Sequence, residues 1–69
     1  MKMSEQVKIY IQRYIDAKDT PVTVYLLSGV GLDGKLISYD VDSLILQRDN
    51  GPRQLIMLHA VATIQPKED

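Results

Sequence analysis

The residues that could do chemistry in this chain are few, and their spacing argues against catalysis. The chain has one histidine, His59, and no cysteine. One His without Cys cannot build a structural metal site, and it cannot supply the base, nucleophile and orienting residue of a catalytic triad. Asp40 and Asp42 lie two residues apart, but an Asp in such a position usually caps a turn. We therefore expect no catalytic residue, no metal site and no cofactor.

Length and composition restrict the class of protein. The chain has 69 residues, 45% of them apolar, which predicts one folded domain covering residues 1–69. No apolar run approaches the roughly 18 residues that span a bilayer, and charges occur throughout the N-terminus, so we expect a cytoplasmic protein. A core this small contributes only about 3–5 kcal/mol, so we also expect oligomerisation.

The pattern between residues 4 and 18 predicts a helix. Ser4 is a suitable N-cap, and Pro21 follows the segment and favours extended backbone before it. Apolar residues recur at the spacing of one helical face, namely Val7, Tyr10, Ile11, Tyr14 and Ile15.

From Pro21 onward the pattern predicts five short antiparallel strands, between about residues 21 and 66. The expected strands are 22–27, 30–39, 43–48, 53–58 and 61–65, followed by a frayed tail over residues 66–69. Gly31 and Gly34 lie inside the second strand, where glycine marks a bend or a close backbone approach. Residues 44–46 and 55–58 are apolar without alternation, which indicates burial on both faces and hence a contact between subunits.

Several short motifs together resemble one known family. They are Thr20-Pro21-Val22, Leu26-Leu27, Gly29, Leu32, Gly34, Ser38-Tyr39-Asp40 and His59-Ala60-Val61. Their order and spacing are similar to those of Hfq, the bacterial Sm-like RNA-binding family, over about residues 5–66. The resemblance implies a mainly β, Sm-like fold in which an N-terminal helix precedes a strongly bent five-stranded antiparallel barrel. It also implies a homohexameric ring, in which the fourth strand of one subunit pairs with the fifth of the next.

The resemblance further implies RNA binding on two faces of the ring. The proximal face, which bears the helices, would bind uridine-rich ends, and the opposite, distal face would bind adenine-rich single strands. The family match assigns these residues to a distal purine site: Tyr25, Ser28, Val30, Leu32, Gln54 and Thr63. Tyr25 would stack on a purine, and Gln54 would read an adenine edge. Gly31 and Asp33 replace a family lysine and glutamine, which removes one phosphate contact and one polar contact.

On the proximal face the same resemblance predicts a weakened uridine site. His59 is retained, and Lys8 takes the place of a helix glutamine that touches the base. Leu58 replaces the lysine that contacts uridine. Asp42 stands where the family has a base-stacking phenylalanine, and its charge would repel phosphate.

Three functions remain open at this point. The first is an Hfq-like RNA chaperone and post-transcriptional regulator that binds A-rich RNA. The second is a ring that acts mainly as a scaffold for protein partners and has little RNA affinity. The third is a single small barrel that binds a small molecule. The formal net charge of −1 counts against the first, because nucleic-acid binders usually carry a basic surplus.

Overall fold

One α-helix comes first in the described part of the chain. The structure is a computed structural model, and it describes residues 3–17 and 20–67. Helix α1 spans Glu5–Asp16, and Ser4 caps it by accepting a hydrogen bond from the Val7 amide at 3.2 Å. The predicted N-cap is confirmed, but the helix ends before the predicted residue 18. Residues 18 and 19 themselves lie outside the described ranges. No helix in those ranges is long and apolar enough to cross a membrane.

Five antiparallel strands follow the helix and form one bent sheet. Their bounds are Val22–Leu26 for β1, Gly31–Tyr39 for β2, Ser43–Arg48 for β3, Arg53–Met57 for β4 and Val61–Pro66 for β5. A 3-10 turn, Leu58–Ala60, joins the last two strands. The strand order is β4-β3-β2-β1-β5, so β4 and β5 are the edges of the sheet in the described residues. The five predicted strands are confirmed, with small differences at their ends.

Strand pairing continues to Pro66 and Lys67, further than the sequence predicts, and residues 68 and 69 lie outside the described ranges. Pro66 belongs to β5, and the Lys67 amide donates to the Pro21 carbonyl at 3.0 Å. The prediction of a frayed tail from residue 66 is therefore wrong for these two residues. Strand pairing with the start of β1 extends the ladder further than the apolar pattern indicates, because backbone hydrogen bonds do not require apolar side chains.

Irregular positions in β2 account for part of the bend. The pairing register with β3 shifts between Leu36 and Ser38, so Ile37 is an extra residue in a β-bulge. Gly34 lies where β2 passes close to β3, and a Cβ there would overlap the carbonyl oxygen of Gln47. The predicted close approach is confirmed at Gly34.

The core lies between α1 and the concave side of the sheet. Its fully buried side chains come from α1, β1 and β3 and are Ile11, Val22, Val24, Leu44 and Leu46. In contrast, Leu55 on β4 is 66% exposed. Asp40 caps the turn after β2, because its carboxylate accepts a hydrogen bond from the Val41 amide at 2.7 Å. This contact supports a turn-capping role for Asp40 rather than an acid–base one.

Candidate nucleic-acid interface

Alternation along β1 places Tyr25 on the side of the sheet away from the core. Val22 and Val24 are fully buried, whereas Tyr25 is 39% exposed. In the strand registers, Tyr25 lies opposite Gly31 on β2 and opposite Thr63 on β5. Two predicted site residues, Tyr25 and Thr63, are therefore direct neighbours on the outer face of the sheet.

The Tyr25 ring leans over Gly31. A Cβ added at Gly31 would lie 3.0 Å from Cε1 of the ring, so the absence of a side chain makes room for this position. Beside the ring lies an open groove of about 330 Å³, which we call the Tyr25 groove. Its lining residues are Thr23, Tyr25, Gly31, Asp33, Gln65 and Lys67. The groove thus combines an aromatic surface with hydroxyl, amide, amine and carboxylate groups.

A short polar network fixes one wall of the Tyr25 groove. The Thr23 hydroxyl donates to Oδ1 of Asp33 at 2.6 Å. The Lys67 amine lies 4.0 Å from Oδ2 of Asp33 and 2.9 Å from Oδ2 of Asp49. Lys67 therefore places a cation at this wall, although Gly31 stands where the resemblance expects a lysine.

Ser28 and Val30 lie in the turn that connects β1 to β2. Gly29 between them has a φ of 96°, a conformation that favours glycine. The turn is closed by the Leu26 amide, which donates to the Val30 carbonyl at 2.8 Å. Both predicted site residues are exposed, at the end of the sheet that carries Tyr25.

Leu32 and Gln54, the two remaining residues of the predicted distal site, do not line the Tyr25 groove. Leu32 pairs with Val24 and packs against the core, so its side chain is partly buried on the concave side. Gln54 on β4 accepts a hydrogen bond at its Oε1 from Arg48 at 2.9 Å. It borders a second groove of about 360 Å³ beside the β3–β4 turn, and Asp33 lines this groove as well as the Tyr25 groove. Asp33 therefore borders both the groove that contains Gln54 and the Tyr25 groove.

The residues assigned to the proximal face fall into two places. The Leu58 amide donates to the Asp42 carbonyl at 2.8 Å, which brings Asp42 next to the turn that holds His59. His59 is exposed, while Leu58 packs partly against the core. Lys8 lies on α1 and forms an ion pair with Glu5 at 3.8 Å. The structure thus joins Asp42, Leu58 and His59.

Two tyrosines connect α1 to the edge strand β5. The Tyr10 hydroxyl donates to the Ile64 carbonyl at 3.0 Å and lies 3.0 Å from the Tyr14 hydroxyl. Because the Tyr10 hydrogen is directed to Ile64, Tyr14 is the donor to Tyr10. The pKa of Tyr14 is raised to about 12, mainly by this hydrogen bond. Burial and the nearby Tyr10 charge raise the pKa further, by smaller amounts.

Sequence reasoning missed three of the groove residues. Thr23 has the same strand parity as Tyr25, so the alternation in β1 carried a signal for it. Gln65 and Lys67 come to the groove through the β1–β5 register, which the local sequence pattern does not contain. The register therefore decides which polar groups surround Tyr25.

Comparison with known proteins places these features in a family. The Hfq protein family matches residues 5–69. The RNA-binding protein Hfq of Rhodospirillum rubrum is 40% identical over 63 residues, which cover 91% of this chain and 75% of that protein. The corresponding Hfq of Paramagnetospirillum magneticum is 38% identical over 63 residues, covering 91% of this chain and 74% of that protein.

A solved structure has the same fold. A crystal structure of the pleiotropic translational regulator Hfq superimposes with a TM-score of 0.75 at 28% identity, covering 84% of this chain and 93% of that one. The match accounts for the helix followed by five antiparallel strands in a bent sheet. The chain therefore belongs to the Hfq family and has its Sm-like fold.

Proposed function

We propose that this chain is an Hfq-like RNA chaperone and post-transcriptional regulator that acts in the cytoplasm as a homohexameric ring. It binds single-stranded, A-rich RNA on the distal face and has a weakened uridine site on the proximal face. The observation that carries the proposal is the exposed Tyr25 ring beside an open polar groove, in a chain whose relatives are RNA-binding proteins. An exposed aromatic ring offers a platform for any base.

The edges of the sheet support the ring. Antiparallel alternation directs the backbone groups of Arg53, Leu55 and Met57 on β4 away from β3. On β5, the backbone groups of Ile64 and Pro66 face the other edge. The Ile64 carbonyl there also accepts from the Tyr10 hydroxyl, and Pro66 has no N–H to leave unpaired. Pairing β4 of one copy with β5 of the next would cover both edges, which otherwise invite uncontrolled association.

The second groove supports adenine recognition. Arg48 donates to Oε1 of Gln54, which leaves the two Nε2 hydrogens of Gln54 to face a ligand. Adenine offers acceptors at its ring nitrogens, including N7, and a Gln amide is a suitable donor to them. Thr63 is exposed opposite Tyr25, and Ser28 is exposed in the β1–β2 turn, so two hydroxyls at this end of the sheet offer further polar contacts.

Fluorescence anisotropy with labelled oligomers tests the proposal. The wild-type protein should bind an oligoadenylate at micromolar concentration or below, and bind an oligouridylate much more weakly. Tyr25→Ala should weaken oligoadenylate binding about 5- to 160-fold per pocket, since a stacked base contributes roughly 1–3 kcal/mol. Tyr25→Phe is the matched control, because it keeps the ring and should keep the affinity.

Two results would contradict the proposal. If neither oligomer binds the assembled wild-type protein, the scaffold function with protein partners is favoured. If Tyr25→Ala and Tyr25→Phe weaken binding equally, stacking on Tyr25 is not the source of affinity.

A further inference from the structure

Asp33 gives the Tyr25 groove an unusual chemical character. It is the acidic member of the groove lining, and its side chain is 46% exposed. Along β2 it follows Gly31 by two residues and so lies on the same face. Two residues of strand span roughly 6.6 Å, a length comparable with that of a purine ring system. A purine stacked on Tyr25 can therefore direct one edge toward Asp33.

The carboxylate is held in place but keeps acceptor capacity. Thr23 donates to Oδ1 at 2.6 Å, which orients the group. The Lys67 amine is 4.0 Å from Oδ2, which is longer than a hydrogen bond, and is closer to Asp49 at 2.9 Å. Each carboxylate oxygen has about two lone pairs, so both oxygens can accept from a ligand.

The two purines differ in what they offer to such a group. An ionised carboxylate accepts hydrogen bonds and donates none. The Watson–Crick edge of guanine presents two adjacent donors, N1–H and the 2-amino group, and these fit both carboxylate oxygens at once. Adenine presents one donor there, the 6-amino group, next to a ring nitrogen whose lone pair faces the second oxygen. Charge-assisted bidentate pairs are about twice as strong as neutral ones.

We infer that Asp33 makes the Tyr25 groove select guanine over adenine. The inference rests on the proposed function and refines it: the preferred RNA is A-rich with guanine at intervals, each guanine stacked on Tyr25 and hydrogen-bonded to Asp33. Gln54 in the adjoining groove continues to read adenine. One bidentate base contact discriminates by about 5- to 160-fold, and this is the expected preference for guanine per pocket.

The test compares three oligomers of equal length by fluorescence anisotropy. The first is an oligoadenylate, the second has guanine at regular intervals, and the third has inosine at those positions. Inosine keeps N1–H and lacks the 2-amino group. Wild-type protein should bind the guanine oligomer most tightly and lose most of that advantage with inosine. Asp33→Asn should lose the guanine preference and respond little to inosine, because the same contact is already missing.

Asp16→Asn is the matched control. It removes the same charge from the end of α1, and it leaves the lining of both grooves intact. Both variants should bind all RNA somewhat more tightly through reduced repulsion, but Asp16→Asn should keep the wild-type ratio of guanine to adenine affinity. An equal change of that ratio in both variants would overturn the assignment of Asp33.

Failure of this inference is distinguishable from failure of the proposed function. If oligoadenylate binds and Tyr25→Ala weakens that binding as expected, but guanine gives no advantage, Asp33 is not a guanine reader and the RNA function stands. If none of the three oligomers binds the wild-type protein, both proposals fall.

Discussion

Replacing Leu55 tests whether the sheet edges hold the proposed ring together. Leu55 lies on the edge strand β4 and is 66% exposed in the single subunit. Full burial of a leucine side chain contributes about 1.5–3 kcal/mol, so burying two-thirds of it at an interface contributes about 1–2 kcal/mol. Leu55→Ala should remove most of this at every contact. Summed over a homohexamer, the loss is about 6–12 kcal/mol per ring.

Sedimentation velocity over a dilution series measures the effect. The wild-type ring should persist on dilution. The Leu55→Ala ring should dissociate at protein concentrations at which the wild-type ring is still intact. Leu27→Ala is the control, because Leu27 is 70% exposed in the β1–β2 turn rather than on an edge strand. The reasoning would be refuted if Leu55→Ala resists dilution as well as the wild type, or if wild-type protein is a folded monomer.

Three further predictions concern stability and the proximal face. Gly34→Ala should lower the free energy of unfolding by about 3 kcal/mol or more in urea titrations, because the added Cβ would overlap the backbone of the adjacent strand. Gly51→Ala is the control and should change the free energy of unfolding little, because its Cβ would lie 3.4 Å from the Arg48 Cβ. Asp42→Phe combined with Leu58→Lys should raise oligouridylate affinity at least about tenfold in anisotropy titrations, and no gain would show that these positions do not limit the site. Because the pKa of Tyr14 is raised from 10.0 to about 12, its contribution to stability is complete below pH 10 and is lost as the pH rises to 12. The urea midpoint of the wild type should therefore fall between pH 10 and pH 12, and Tyr14→Phe should make that fall less steep. An equally steep fall in the variant would contradict the assignment.

The elements were predictable from sequence because their signals are local. A 3.6-residue apolar period with Ser4 as cap predicts α1, and β-branched runs between turn residues predict the five strands. The family was predictable from the order of short motifs, and the match over residues 5–69 confirms it. Membership of a family of RNA-binding proteins also agrees with the prediction that the chain is not an enzyme.

The surroundings of Tyr25 were not predictable in the same way, because they depend on register between distant strands. The sequence pattern predicts a frayed tail at Lys67, yet pairing of β5 with β1 brings this residue to Asp33. In the family resemblance Asp33 only replaces a glutamine, because its contact with Thr23 depends on the β1–β2 register. The bulge at Ile37 carries no glycine or proline that would mark it in the sequence.

In the proposed ring, assembly and RNA binding would be physically coupled through β5. One side of this strand pairs with β1 and supplies Thr63 and Gln65 to the surroundings of Tyr25, while its other edge is the one proposed to receive β4 of a neighbouring copy. A subunit that loses its neighbour therefore leaves β5 held by β1 and by the Tyr10 contact at Ile64. Because β5 is then less constrained, the groove should be less well formed in the monomer, and several pockets can no longer act on one RNA strand. Ring assembly should not depend on Tyr25 in return. Tyr25 lies on the outer face of the sheet rather than at an edge, so its removal leaves both edges able to pair.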